Sequence, residues 1–195
     1  MIPLTPPPID PAALDAATAR FAEIAEPDVA YAVVDSPVGR LVAAATPTGL
    51  VKLAYEDFNG GVDAVLEGLA RRLSPRILEV PARLDGVRRE LDEYFEGRRR
   101  AFDLPIDWSL YSPFGRRVLE ATARIPFGQT ATYGDVAAQA GNPRASRAAG
   151  RALGANAIPI VVPCHRVIGS GGRLTGYTGG LHRKVALLRL EGIEY

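Results

Sequence analysis

Residues 31–56, YAVVDSPVGRLVAAATPTGLVKLAYE, constrain the fold most: three short apolar runs are interrupted only at Ser36-Pro37 and at residues 47–49. Strands joined by turns this tight pair with their neighbours antiparallel, because a parallel pair needs a crossover of about a dozen residues or more. The spacing of apolar positions then changes. Residues 62–72 and 84–96 repeat at helical intervals, and Gly97 stops the second segment. An antiparallel meander with helices laid on it is an α+β unit.

The pattern after residue 112 is mainly helical. SPFGRRVLEATARI starts with Ser112 as N-cap and Pro113 in the first turn. A short helix over about 132–140, the breaker Gly141-Asn142-Pro143 and a second helix to about residue 154 then form a helix-turn-helix pattern. Arg144, Arg147 and Arg151 are spaced three and four apart, which predicts one basic face on the second helix. Small residues around them, among them Ala145 and Gly150, let a helix backbone approach a partner closely. Residues 97–112, with three consecutive arginines and Pro105, read as a linker. The expected division is an N-terminal extension over 1–30, an α+β domain over 31–106 and a DNA-binding domain over 107–195. Within the extension, residues 11–26 read as a helix behind a proline-rich head.

The net charge of +1 conceals a division. Residues 1–112 carry 12 lysines and arginines against 18 acids, net −6, whereas 113–195 carry 11 against 4, net +7. The basic half suits a polyanion. No apolar run approaches the roughly 20 residues that cross a bilayer, and the start lacks a signal-like segment, so a soluble, cytoplasmic protein is expected. The single cysteine of the chain allows no internal disulfide and no cysteine-rich zinc cluster.

That cysteine lies in IPIVVPCHRVIG, residues 158–169. IPIVV reads as a core strand ended by Pro163. In a straight strand Cys164 and His165 would point to opposite faces, so contact between them requires a bend, which Pro163 favours. A free thiol is only a few per cent ionised at neutral pH, and a nucleophilic role needs a base such as His165. The base in turn needs an orienting acid. The acids of this half are Glu120, Asp135, Glu191 and Glu194, of which Glu191, closing LHRKVALLRLEG, is the best placed. The residues alone leave Cys164 open between a buried small hydrophobe and a nucleophile. Asn156 is open between a helix cap and a site residue.

PCHRV, with TYGDVAAQAGNPRASRAAGRALGAN before it and IGSGGRLTGYTGGLHRKVALLRLEG after it, resembles the O6-alkylguanine-DNA alkyltransferases, or methylated-DNA-protein-cysteine methyltransferases. The resemblance is near-continuous over residues 113–192 and looser over 31–106. It implies an α+β fold, with a small antiparallel-sheet N-terminal domain and a mainly helical C-terminal domain carrying a winged-helix-like helix-turn-helix and the active cysteine. It also implies stoichiometric, irreversible transfer of the alkyl group from O6-alkylguanine, and from O4-alkylthymine, in double-stranded DNA to Cys164. The protein would act as a monomer without cofactor or metal.

Residue by residue, the resemblance makes Cys164 the alkyl acceptor, His165 a water-mediated base, Glu191 its acidic partner and Asn156 the brace of the active-site turn. Tyr133 would push the target phosphate and bond the base, and Arg147 would fill the vacancy in the stack. Arg144, Ala145 and Ser170 would be further DNA contacts. Tyr177 and Thr178 would flank the flipped base, and the Val167 carbonyl would receive its exocyclic amine. The second helix would enter the minor groove, with the base flipped out at a cost of a few kcal/mol. Leu119, Ala157 and Ala186 depart from the family's usual tryptophan, proline and tryptophan. Ala157 puts the stiffness of the Asn156 turn in question.

Overall fold

The computed structural model describes Asp10, Ala12 and residues 26–195. The helix expected over 11–26 lies, apart from Ala12 and Glu26, outside the described residues. Strands β1 (Val29–Val34), β2 (Leu41–Thr46) and β3 (Gly49–Tyr55) form the expected antiparallel meander. Helix α1 (Gly61–Arg72) follows, then β4 (Ile77–Glu79), a 3-10 turn (Pro81–Leu84) and α2 (Asp85–Phe95). The sheet order is β3-β2-β1-β4. Strand β4 was not expected, and it pairs with β1 in parallel. A three-residue strand is too short to show a period, and its parallel pairing follows from α1 serving as the crossover.

Both faces of the sheet are covered. Val42 and Ala44 face α1 together with Val65 and Leu69, while Leu41 and Ala43 belong to the larger cluster that includes α2 and the C-terminal half. Fully buried leucines of this kind each contribute about 2 kcal/mol. The expected linker is in fact docked. The Leu50 N–H donates to Pro105 O at 2.8 Å, Asp107 N–H to Leu50 O at 3.0 Å, and Asp103 N–H to the Glu90 carboxylate at 2.9 Å. One hydrophobic cluster consequently runs from Ala30 to Leu187, across the expected boundary.

The second half comprises α3 (Pro113–Ala123), β5 (Ala131–Thr132), α4 (Tyr133–Gln139), α5 (Ser146–Gly154), a 3-10 turn (Cys164–Arg166), β6 (Val167–Ile168) and α6 (Leu181–Leu190). Ser112 caps α3 by accepting from the Gly115 N–H, and Thr132 with Asp135 forms a capping box on α4. β5 and β6 pair in parallel and fix the active-site turn beside the helix-turn-helix. Two expectations are corrected here. Arg144 lies in the turn before α5, because Pro143 and the Asn142 turn delay the helix until Ser146. Nor is IPIVV a strand. Pro159 and Pro163 remove two donors, and Ile160 sits at φ 75°, so the segment is a series of buried turns.

Candidate active site

The turns between α5 and β6 are held by one side chain. Asn156 donates from Nδ2 to Val162 O at 2.9 Å and to Cys164 Sγ at 3.1 Å, and its Oδ1 accepts from the Ile158 N–H at 3.0 Å. Ala157 is stiffened in a way proline would forbid. Its N–H donates to the Tyr111 hydroxyl at 2.9 Å, and its carbonyl accepts from Leu53 N–H at 2.8 Å. The turn is thus pinned from the N-terminal half.

Pro163 leads into the 3-10 turn, which supplies the bend expected between Cys164 and His165. Both side chains are buried. Burial pushes the Cys164 thiol up to about 11, against the opposing pull of the Asn156 amide and the Lys184 ammonium. At about 1.4 kcal/mol per pH unit, ionising it at pH 7 costs about 5 kcal/mol. The resting group is a thiol, and a nucleophile must be generated by a base.

His165 Nε2 lies 2.8 Å from Glu191 Oε1. Burial alone would raise the Glu191 carboxyl, but bonds from His165, Arg166 and Tyr94 outweigh it and hold the group at about 2. An ionised carboxylate only accepts, so Nε2 carries a proton and Nδ1 of the neutral ring is an acceptor. Nδ1 has no protein partner among the described residues. Burial lowers the His165 pKa, with Glu191 opposing. The imidazole rests neutral, as a base must.

Glu191 closes α6 and is saturated. Arg166, also buried, donates from Nη2 to Oε1 at 2.9 Å and from Nε to Oε2 at 2.8 Å, and it holds Ile125 O at 2.6 Å. The Tyr94 hydroxyl donates to Oε1 at 2.7 Å, and the Gly128 N–H reaches Oε2 at 3.3 Å.

Cys164 opens onto a cleft of about 750 Å³. Tyr133 and Arg147 of the helix-turn-helix, Tyr177 and Thr178 of the following loop, and Phe58 of the N-terminal half share its walls. Gly150 packs beside the Tyr133 ring, where an added Cβ would make ordinary contact at 3.6 Å. Ala149 of α5 is fully buried, so the small residues there serve internal packing as well as approach. The Tyr133 hydroxyl is 2.7 Å from Thr175 Oγ1, and Thr178 Oγ1 donates to Gly154 O at 3.1 Å.

The loop is anchored from the N-terminal half. The Tyr55 and Tyr177 hydroxyls are 2.9 Å apart, and Gly179, at φ 107°, abuts the Tyr55 ring so closely that a Cβ would come within 2.5 Å. Arg183 stacks on Tyr55 and binds Asp57 at 2.6 Å, Val38 O at 2.7 Å and Gly179 O at 2.8 Å.

The structure thus joins Asn156 to Cys164 and Glu191 to the adjacent His165, and brings Tyr133, Arg147, Tyr177 and Thr178 together around the cleft. Arg144, Ala145 and Ser170 lie outside the cleft lining. The Val167 carbonyl, expected to receive the base's amine, accepts from the fully buried Lys184 Nζ at 2.5 Å. Lys184, Arg166, Tyr94, Tyr111 and Arg183 escaped the sequence reading. Only Lys184 carried a signal, sharing the spacing of Leu187, Leu188 and Glu191 on the buried face of α6. Among the described residues no three His, Cys, Asp or Glu side chains converge as metal ligands would, and no helix is long and apolar enough to cross a membrane.

A helix-turn-helix sharing one cleft with a buried thiol, backed in the fold by an oriented imidazole and a saturated carboxylate, defines a DNA-binding protein class with a nucleophilic cysteine. Two family models narrow this to one family: 6-O-methylguanine DNA methyltransferase, ribonuclease-like domain, matches residues 29–108, and the DNA binding domain of the same family matches residues 113–193. The chain belongs to the 6-O-methylguanine DNA methyltransferase family. It is 44% identical over 163 residues to a methylated-DNA–protein-cysteine methyltransferase of Mycolicibacterium paratuberculosis, covering 84% of this chain and 92% of the relative. It is 36% identical over 168 residues to the constitutive enzyme of that name from Bacillus subtilis, covering 85% and 96%. The crystal structure of Mycobacterium tuberculosis OGT in complex with DNA superposes with a TM-score of 0.73 at 39% identity, covering 84% of this chain and 93% of the other.

Proposed function

We propose that this chain repairs double-stranded DNA by taking the alkyl group of O6-alkylguanine, and of O4-alkylthymine, onto Cys164, once per molecule. Alkyl transfer from damaged guanine to a cysteine is the family's activity, and Cys164 is the only cysteine of the chain. One observation carries the assignment: Cys164 lies in the cleft lined by Tyr133 and Arg147 of the helix-turn-helix.

The damaged base turns out of the stack into the cleft, where Tyr177 and Thr178 flank it and Arg147 takes its place in the duplex. α5 approaches from the minor groove, with Arg144, Ala145 and Ser170 on the backbone. A water at Nδ1 of His165 passes the thiol proton to the imidazole, Glu191 stabilises the resulting cation, and Asn156 holds the sulfur in place. The sulfur attacks the alkyl carbon, the carbon–O6 bond breaks, and the guanine leaves as an anion that takes a proton from Tyr133. The thioether has no facile reversal, so the molecule is consumed. The protein acts as a monomer without a cofactor, and its expected compartment is the cytoplasm. The 1–30, 31–106 and 107–195 division describes roles, since one core spans the last two.

Intact-mass spectrometry after incubation with a duplex containing O6-methylguanine tests this. Wild type should gain the mass of one methylene unit and Cys164→Ala none. Absence of an adduct on wild type that binds the duplex would overturn the assignment.

A further inference from the structure

The proposed transfer uses Glu191 as the partner of His165, yet the carboxylate is not shared by these two alone. Tyr94 reaches it from α2, in the N-terminal half, 97 residues away in sequence. Its side chain is fully buried, packed against Phe95 and Phe102 with ring centroids 5.3 Å away and against Phe127 at 6.2 Å. A hydroxyl in so apolar a cage must find an acceptor, and the cage directs it to Glu191 Oε1. That is the oxygen 2.8 Å from His165 Nε2.

Resting on the relay reading above, we infer that Tyr94 is a positioning residue of the relay. Its hydroxyl shares Oε1 with His165 and so sets how strongly Glu191 draws on the imidazole. Each donor on a carboxylate oxygen withdraws charge from the others, and in a dry site this competition is not screened. Arg166 already neutralises the same carboxylate through both oxygens. The phenol trims what remains for His165. Without it Glu191 would favour the imidazolium, which cannot accept the thiol proton.

The groups facing the relay on every side bear out this balance. Arg166 from the active-site turn and Lys184 from α6 act against a charged imidazole, Glu191 acts for it, and the Gly128 N–H further occupies Oε2. Burial and the neighbouring carboxylate keep the Tyr94 hydroxyl protonated throughout the working range. It is a constant donor rather than a second titrating group. The N-terminal half thus supplies part of the chemistry's tuning as well as its support.

The test is the pH profile of alkyl transfer from free O6-benzylguanine, which needs no DNA, followed from pH 4.5 to 8.5 in wild type and Tyr94→Phe. The acid limb should move to higher pH in the variant by roughly half a unit to one unit, a threefold to tenfold loss of rate below the limb relative to each protein's own plateau. The chain has two histidines, His165 and His182, so NMR can follow each imidazole separately, and the His165 titration should move with the limb. Should Tyr94→Phe fail to fold, 3-fluorotyrosine at position 94 keeps the shape with a stronger donor, and both should move to lower pH. Coincident profiles and His165 titrations in a folded variant would overturn the inference and leave the relay intact. A wild-type profile without an acid limb would overturn the relay reading itself.

Discussion

The helix-turn-helix face and the active-site turn border one cleft, but their polar groups are held in opposite ways. Arg144, Arg147 and Arg151 are exposed and have no ion-pair partner among the described residues. Arg166, in the turn, is buried and commits its guanidinium to Glu191 and Ile125 O. Charge left unpaired at the surface costs little and stays available to an outside polyanion. A buried charge must be paired within the fold or it costs several kcal/mol. Substitutions in the two regions should therefore fail differently, the turn losing stability together with chemistry and the helix losing only function on duplex DNA.

The largest effect should come from Glu191→Gln. The neutral amide leaves Arg166 without its counter-ion and offers one accepting oxygen to donors that now use two, so His165 loses its charged partner. The expected result is a stability loss of about 3 kcal/mol by denaturant titration and transfer slowed about 100-fold, with DNA affinity little changed. The same carboxylate governs acid stability. Its folded pKa of about 2 lies below the ordinary 4.5, so its contribution is present above pH 4.5 and is lost as pH falls toward 2. The size of that contribution is about 3 kcal/mol. His165, lowered by burial, acts in the same direction, since the unfolded chain binds its proton first as pH falls. Wild type should lose stability steeply below pH 4.5 and Glu191→Gln should do so far less. Parallel acid curves would remove the carboxylate from this account.

Asn156→Ala comes next. It strips the thiol of its amide donor and leaves the buried Ile158 N–H unpaired, whereas Val162 O keeps its bond from the Cys164 N–H at 2.8 Å. One orphaned buried donor costs about 1–3 kcal/mol. Transfer from free O6-benzylguanine should slow about tenfold, because the thiolate loses a hydrogen bond worth about 1.5 kcal/mol. A variant equally destabilised but fully reactive would make Asn156 a structural brace alone.

Legibility in the sequence divides along the same line. The meander, both α1 and α2, and the helix-turn-helix follow from periodicity and caps, because their bonds are local. Adjacency and the shortage of acids in the basic half make Cys164, His165 and Glu191 candidates, and the family resemblance gives them their roles. The bend that makes His165 usable was a requirement before it was an observation. What could not be read were contacts closed over long separations by irregular backbone. Tyr111 capping Ala157, Tyr94 on Glu191 and Tyr55 against Gly179 have no period to betray them; the last two come from the half that looked like a separate domain, and Tyr111 from the stretch that read as a linker. IPIVV misled for a related reason. An apolar run announces burial, while the two prolines and the φ of Ile160 decide that the burial is a turn.

The smallest effect on the fold, and the sharpest test of the contrast, is Arg147→Ala. Its side chain has no hydrogen-bond or ion-pair partner among the described residues, so stability should stay within about 0.5 kcal/mol of wild type. Its proposed task exists only in duplex DNA, where the place of the flipped base must be filled before the base can stay out. If the arginine offsets about 1.4 kcal/mol of that unstacking, repair in duplex should fall about tenfold. Transfer from free O6-benzylguanine should be unaffected by the loss of stacking, since no stack has been opened. Measuring both rates on the same preparation separates the possibilities. Equal losses would place Arg147 in the pocket chemistry with the buried groups, and the division between a reserved surface and a committed interior would fail at the residue that best represents it.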